Sequence, residues 1–134
     1  MPYKLMYFNA RGTAEVIRQI FVLANEKFED IRYTFDEWPQ HKQEMPFGQM
    51  PVLEIDGQKL AQSFAIARFL AKKFGFNLNN ALILLGLAPK CPFEEALVDS
   101  IMDQYKDFQN EIRPVFRIIA GFAEGDLVGA SQKD

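Results

Sequence analysis

Apolar residues along this chain follow two different periods, and the switches between them mark out its elements. Residues 4–8 read as a short strand. Gly12 and Thr13 then open a helical pattern, with Val16, Ile17, Ile20, Phe21 and Ala24 recurring at helix spacing. Asn9, Gly12 and Thr13 are the candidate starts of that helix. Residues 28–35 read as a second strand, because Ile31, Tyr33 and Phe35 alternate with Arg32 and Thr34. Strand, helix and strand in this order predict a right-handed crossover between parallel strands. Residues 36–50 hold no persistent period and contain Trp38, Pro39, Pro46 and Gly48. They read as irregular chain with room for one helical turn. Residues 51–55 read as a strand, Asp56-Gly57 as a two-residue hairpin turn, and residues 59–61 as the returning strand. Ser63 is expected to cap a helix through Lys73. Its apolar positions are Ala67, Leu70 and Phe74, widened by Ala65, Ile66 and Phe69, and Gly75 is the expected stop.

That order, β-α-β, an irregular link, then β-β-α, matches a thioredoxin-like layer architecture. Its mixed sheet needs helices on both faces to bury it. From Pro92 onward the pattern turns helical. Val98, Ile101, Tyr105, Phe108, Ile112, Val115 and Ile119 step by three and four, which predicts one long amphipathic helix with a bend near Pro114. Such a helix cannot bury its stripe alone. The tail from Gly125 is expected to fray.

Composition narrows the picture. A chain of 134 residues has room for one compact domain, or a small domain and part of another. Its net charge of -3 gives no support for a nucleic-acid or polybasic membrane surface. Cys91 is the only cysteine, which excludes an internal disulfide and a cysteine-rich metal site, and a reduced compartment is the simplest setting. His41, the only histidine, reads as a surface or structural residue, and no metal is expected. No charged and apolar leader precedes the first strand, so no signal peptide is expected. The apolar run at 81–88 is too short to span a bilayer as a helix. It reads as a buried helical turn or an inserted loop, with a membrane contact as the alternative.

Three places carry candidate chemistry. Pro51 stands directly before a strand, where proline is tolerated only at the first residue. A cis Met50-Pro51 bond would turn the Met50 backbone groups into a cleft, ready to pair with an extended peptide. The plain alternative is a turn proline. At Gln62-Ser63 a helix begins, and its hydroxyl, amide hydrogens and positive end suit a carboxylate. The plain alternative is a structural cap. Tyr7 ends a strand, where open α/β sheets place ligands. A phenolic O–H aimed at a sulfur can stabilise its thiolate, and each unit of lowered thiol pKa is worth about 1.4 kcal/mol. The plain alternative is a core or surface tyrosine. Arg11 is close enough in sequence to add positive field.

These segments resemble the cytosolic glutathione transferases. They are most similar to the sigma class, including its nematode members and the haematopoietic-type prostaglandin D synthases. The segments are Tyr7-Phe8-Asn9-Ala10-Arg11-Gly12-Thr13-Ala14-Glu15, Trp38-Pro39, Pro46 through Pro51, Glu54-Ile55-Asp56-Gly57, and Gln62-Ser63 through Leu70. The similarity resumes from Pro92, through Asp99, Asp103-Gln104-Tyr105 and Asp107. Any one motif is weak, whereas the ordered set is strong. The resemblance implies that Tyr7 activates the glutathione sulfur, with Arg11 nearby. It implies that the Met50 backbone pairs with the cysteinyl part, ahead of a cis Pro51. Gln62 and Ser63 match the pair holding the γ-glutamyl end. Trp38, Lys42 and Gln49 match the groups around the glycyl end. Asp99 matches an acidic residue that reaches the partner subunit's glutathione. Phe8 and Thr13 fall in the electrophile pocket. Glutathione is then a co-substrate with no permanently bound cofactor. The implied partners are a small hydrophobic electrophile and a second copy of the chain in a homodimer, with no nucleic acid and no membrane, in the cytoplasm.

The resemblance also organises the chain: residues 1–76 as the thioredoxin-like glutathione-binding domain, 77–91 as an extended linker with an apolar insertion, and 92–134 as part of an all-helical domain. The linker is longer than is usual in the family, and family members continue through several more helices. The chain is therefore expected to be an isoform, a fragment or the product of a faulty gene model. Conjugation of small electrophiles is the leading activity, with isomerase or peroxidase side activities. The alternative is a truncated glutathione-binding or dimerising module with little or no turnover. A redox thioredoxin is disfavoured because Tyr7-Phe8-Asn9-Ala10 stands where its Cys-x-x-Cys would be.

Overall fold

A computed structural model describes residues 2–75, 91–119, 121, 124 and 125. The expected linker at 77–90, its apolar run at 81–88 and the tail from 126 lie outside the described residues. In chain order the elements are β1 (Tyr3–Phe8), a 3-10 turn (Gly12–Ala14), α1 (Glu15–Leu23), β2 (Glu29–Tyr33) and α2 (Trp38–His41). A second 3-10 turn (Lys42–Glu44), β3 (Val52–Ile55), β4 (Gln58–Ala61), α3 (Ser63–Lys73) and α4 (Pro92–Ile119) follow. The chain divides into two compact units, Met1–Ala88 and Pro89–Asp134. The first is a mixed sheet with helices, thioredoxin-like as expected, and the second is helical.

The sheet runs β2-β1-β3-β4, with β1 and β2 parallel and the other two pairings antiparallel. Alternation along the inner strands builds two cores. Tyr3 and Leu5 of β1 join Leu53 of β3, Ile17 and Phe21 of α1, and Ile66 and Leu70 of α3. Met6 and Val52 fall on the other face and pack with Met45 and Ala61, against partly buried Ile31, Tyr33, Trp38 and Met50. Both faces of the sheet are thus covered, which a half-parallel sheet requires. Each fully buried large side chain contributes about 1.5–3 kcal/mol of transfer free energy.

The hairpin is as its sequence predicts. Asp56 and Gly57 both take positive φ, 49° and 79°, the pair that a tight turn matching strand twist demands. α3 covers the expected residues, but its buried side is Phe64, Ile66, Ala67 and Leu70, while Ala65 and Phe69 are exposed. The 3.6-residue period carries 65 and 69 off the inward stripe. Ser63 is the first helical residue rather than the cap. Gln62 takes the cap position, its carbonyl accepting the Ile66 N–H at 3.0 Å, and no side chain caps the helix. Gly75, at φ 73°, follows the last turn as expected.

β2 ends at Tyr33, before the expected Phe35, because Thr34 leaves the ladder for the turn at 34–37 that leads into α2. The Thr34 N–H and hydroxyl each donate to the Glu37 carboxylate at 2.8 Å, and the Glu37 N–H returns a bond to the Thr34 hydroxyl. This is a reciprocal capping box, and it fixes where Trp38 enters the fold. In the second unit, α4 is one helical run with Pro114 inside it and no buried residue. Glu94 and Glu95 in its first turn and Arg117 in its last suit the helix dipole. Its stripe is present as expected, and Val98, Ile101, Tyr105 and Phe108 are exposed. Among the described residues no helix is long and apolar enough to cross a membrane.

The capping box makes an acid-sensitive element. The Thr34 backbone N–H, then its hydroxyl, hold the Glu37 carboxyl below its ordinary value of 4.5, and a nearby His41 lowers it further. A carboxyl whose folded pKa is depressed adds stability above its unfolded pKa and loses it as pH falls through the folded value. Trp38 is the only tryptophan and so reports locally. Acid titration of its emission should show a transition beginning below about pH 4.5. Glu37→Ala should give the acid-form emission already at neutral pH and lack that transition; an unchanged titration would remove the box from this role.

Candidate functional site

Three strands bring their ends to one edge of the sheet. Met6 pairs with Val52, and Val52 pairs with Ala61. The next residues outward are Tyr7 on β1, Pro51 ahead of β3, and Gln62 after β4. Adjacent strands lie about 4.8 Å apart, so these three positions span roughly 10 Å. The sites singled out in the sequence at Tyr7, Met50-Pro51 and Gln62-Ser63 therefore share one end of the sheet, although they are far apart along the chain.

Tyr7 is half-buried and packs against the core beneath α1 and α3. Its hydroxyl oxygen accepts the Thr13 backbone N–H and the Thr13 hydroxyl, each at 3.3 Å. A phenol has two acceptor lone pairs and one donor hydrogen. Thr13 fills the acceptor side, which leaves the O–H to donate elsewhere. Thr13, expected in the electrophile pocket, is observed as a hydrogen-bond partner of Tyr7. It also does not cap α1; the 3-10 turn begins at Gly12, with Arg11 before it.

Phe8, next on the strand, points to the opposite face. Its ring stacks on Phe35 at 4.8 Å and meets Trp38 edge-on at 5.6 Å and Tyr7 at 5.5 Å. Phe8 and Trp38, both expected, are brought together, and Phe35 joins them unexpectedly. Its alternation with Tyr33 was the available signal. Tyr33 stacks on His41 at 4.2 Å, and His41 lies 3.2 Å from Glu44. Burial, then Glu44, Glu37 and Glu54, push the Tyr33 hydroxyl above its usual range. His41 accordingly has a structural setting, and no cluster of three metal-binding side chains occurs among the described residues.

At the other end of the row, the Met50-Pro51 peptide is cis. The Gln62 side-chain amide donates to the Gln49 side-chain oxygen at 3.5 Å, which joins the two loops. Gln62 sits at φ 75° and ψ 113°, outside the usual range of a residue with a side chain. Backbone of this kind costs about 1–3 kcal/mol and gathers at functional sites. Lys42 is exposed on the 3-10 turn and lies close to Gly48. Arg11 is exposed. Asp99 lies on α4, in the second compact unit.

Sequence reasoning passed over Arg18. It is the only buried charged residue among those described, at 6% exposure. It donates to the Ala10 carbonyl at 2.8 Å, the Arg11 carbonyl at 3.4 Å and the Glu15 carboxylate at 3.2 Å. Its Nε pairs with Asp30 at 3.1 Å, and its guanidinium lies 5.9 Å from the centre of the Tyr7 ring. The signal was a charge on the inward stripe of α1, beside Ile17 and three residues before Phe21.

Gly12 sets a steric limit on the site. A Cβ there would overlap the Tyr7 hydroxyl oxygen and lie 3.0 Å from its ring, and Gly12 has φ 43°. Gly12→Ala should cost about 1–3 kcal/mol through overpacking. It should also alter the near-ultraviolet circular dichroism of the tyrosines. Denaturant unfolding at wild-type midpoint would show that Tyr7 is not confined by this glycine.

Comparison with known proteins agrees with this architecture. The family model described as "Glutathione S-transferase, N-terminal domain" matches residues 3–72. "Probable glutathione S-transferase 8" of Caenorhabditis elegans is 52% identical over 130 residues, covering 97% of this chain and 58% of that protein. "Glutathione S-transferase 1" of Ascaris suum is 54% identical over 127 residues, covering 94% and 56%. A solved structure described as monomeric Na-GST-3, a glutathione S-transferase from the hookworm Necator americanus, superposes with a TM-score of 0.81 at 66% identity. That superposition covers 99% of this chain and 60% of that one. The chain therefore spans little more than half the length of the relatives it matches. With the family model covering over half of its residues on the fold just described, this chain belongs to the glutathione S-transferase family.

Proposed function

We propose that this chain binds glutathione along the end of its sheet and ionises the thiol with Tyr7, for attack on a small electrophile. The observation that carries the reading is the Tyr7 hydroxyl, whose acceptor side is occupied by Thr13. Its remaining hydrogen can donate to a sulfur, and donors on the same oxygen polarise it further. The row from Tyr7 to Gln62 spans roughly 10 Å, close to three extended residues at about 3.3–3.6 Å each. Glutathione is of that size.

In this reading Ser63 and Gln62 hold the γ-glutamyl carboxylate at the start of α3, aided by the helix dipole. The Met50 backbone, beside Pro51, pairs with the cysteinyl part. Trp38, Lys42 and Gln49 receive the glycyl end. Arg11 adds positive field, and Phe8 and Thr13 border the electrophile. Asp99 reaches the glutathione of a second copy in a homodimer. Catalysis is then electrostatic preparation of a nucleophile: the bound thiol gives its proton to solvent water, and the thiolate forms the new bond to carbon as the leaving group departs with its bonding pair. Glutathione is consumed as a co-substrate.

We assign glutathione binding to residues 1–76, joined through 77–91 to the helical part from 92. The ordered motif set favours the sigma class, and a cytoplasmic setting fits it. The second reading, a glutathione-binding or dimerising module without turnover, is favoured by the exposed stripe of α4. A conjugation assay beside a mass measurement separates the two.

Calorimetry and ultraviolet thiolate absorbance test the central claim together. The wild-type chain should bind glutathione and hold its thiol pKa below that of free glutathione. Tyr7→Phe should bind within about threefold of wild type, while the bound thiol pKa rises by about one unit, a tenfold loss of thiolate at neutral pH. Loss of all binding with an unaltered pKa for whatever remains bound would remove Tyr7 from this role.

A further inference from the structure

We propose that Arg18 is a positioning residue for the Tyr7 hydroxyl, acting through the loop that carries Thr13. Its importance for thiol ionisation rests on the function proposed above; its positioning action does not.

The geometry is specific. One buried guanidinium holds two consecutive carbonyls, Ala10 and Arg11, at 2.8 and 3.4 Å. These belong to the connection between β1 and the Gly12–Ala14 turn, two and three residues before Thr13. The same group is tied to Glu15 just after the turn, and to Asp30 on β2. Asp30 in turn pairs with Arg32 at 2.8 Å, and Arg32 donates to Asn9 at 3.2 Å. The loop from 9 to 15 is thus anchored at Asn9, Ala10, Arg11 and Glu15. Between those anchors lies Thr13, whose two donors meet Tyr7.

Stability alone is a poor explanation for this arrangement. Burying an ion pair commonly costs as much as it returns, and an apolar side chain of similar volume would fill the same stripe. The network is also incomplete, because Nη2 is buried with no hydrogen-bond partner among the described residues. What an apolar residue could not supply is a planar fork that holds carbonyls and a carboxylate at fixed angles. Lysine would keep the charge and lose the fork. The loop needs such a device because Gly12 takes positive φ and has no side chain to hold it, and a Cβ there would run into Tyr7.

The test uses the full chain without ligand and reads the Thr13 amide by NMR. Arg18→Lys should speed Thr13 amide exchange by about tenfold, and so should Tyr7→Phe, which removes the acceptor. The Leu53 and Leu60 amides, in the paired β3 and β4, should keep wild-type rates. Asp30→Asn weakens the same anchor from a more exposed side and should give a smaller change of the same pattern; it serves if Arg18→Lys does not fold. A double-mutant cycle then follows the bound thiol pKa. Arg18→Lys and Thr13→Val should be non-additive, the pair raising the pKa no more than the larger single change. Unchanged Thr13 exchange, or an equal loss of protection at Thr13, Leu53 and Leu60, would overturn the proposal. Additive pKa effects would overturn it too. Failure of the glutathione reading shows up separately, as a wild-type chain that never lowers the thiol pKa while the exchange pattern still holds.

Discussion

β1 bonds a parallel strand on one edge and an antiparallel strand on the other, and its side chains alternate between two cores. Every position at the candidate site depends on that register. Leu5 enters the core under α1 and α3, so Tyr7 must lie on that side, near Thr13 and Arg18. Met6 enters the opposite core, so Phe8 must face Trp38 and Phe35. A slip of one residue would exchange the two faces and put the phenol among the aromatic rings. The buried Leu5 and Val52, each with no exposed surface, make such a slip costly. The register is thereby enforced by packing several residues away from the chemistry.

Backbone strain differs between the two ends of the β3-β4 pair. At the hairpin tip, positive φ falls on Asp56 and Gly57, residue types that adopt it readily. At Gln62 it falls on a residue with no such preference, and the surroundings must hold it there. The Ile66 N–H, the start of α3 and the Gln49 side chain are the contacts that do so. The first amides of α3 follow directly on this backbone, so their direction is set by it. A pre-aimed set of donors suits a small charged ligand, because little ordering is left to be done on binding.

Local signals made most of the first unit legible. The Asp56-Gly57 turn, the β1 strand and the span of α3 follow from residue type and period alone, and the motif set around Tyr7, Pro51 and Gln62 pointed to the family. The errors have local causes as well. The Thr34-x-x-Glu37 box is present in the sequence, and it ends β2 two residues before the apolar alternation does. Ser63 looked like a cap because serine favours that position, whereas the strained Gln62 occupies it. Arg18 and the Thr13 donors were not legible in the same way. Their meaning lies in contacts with Ala10, Asp30 and Tyr7, which only the crossover from β1 to β2 brings together.

The charges near Tyr7 are largely compensated. Arg18 faces Asp30 and Glu15, and Arg32 shares Asp30. What reaches the phenol oxygen directly is a backbone amide and a hydroxyl, dipoles held by the loop rather than a mobile ion. Dipoles fixed by folding need not reorganise when a nearby group ionises, and they are less sensitive to salt than exposed charges. This division of labour places the cost of the site in folding: a buried cation and a glycine with positive φ constrain one short loop. In return, the hydroxyl at its end meets two donors held by that loop. Both donors that reach the Tyr7 hydroxyl among the described residues come from one turn of the first unit, so their effect on a bound thiol can be assayed separately from how α4 is covered.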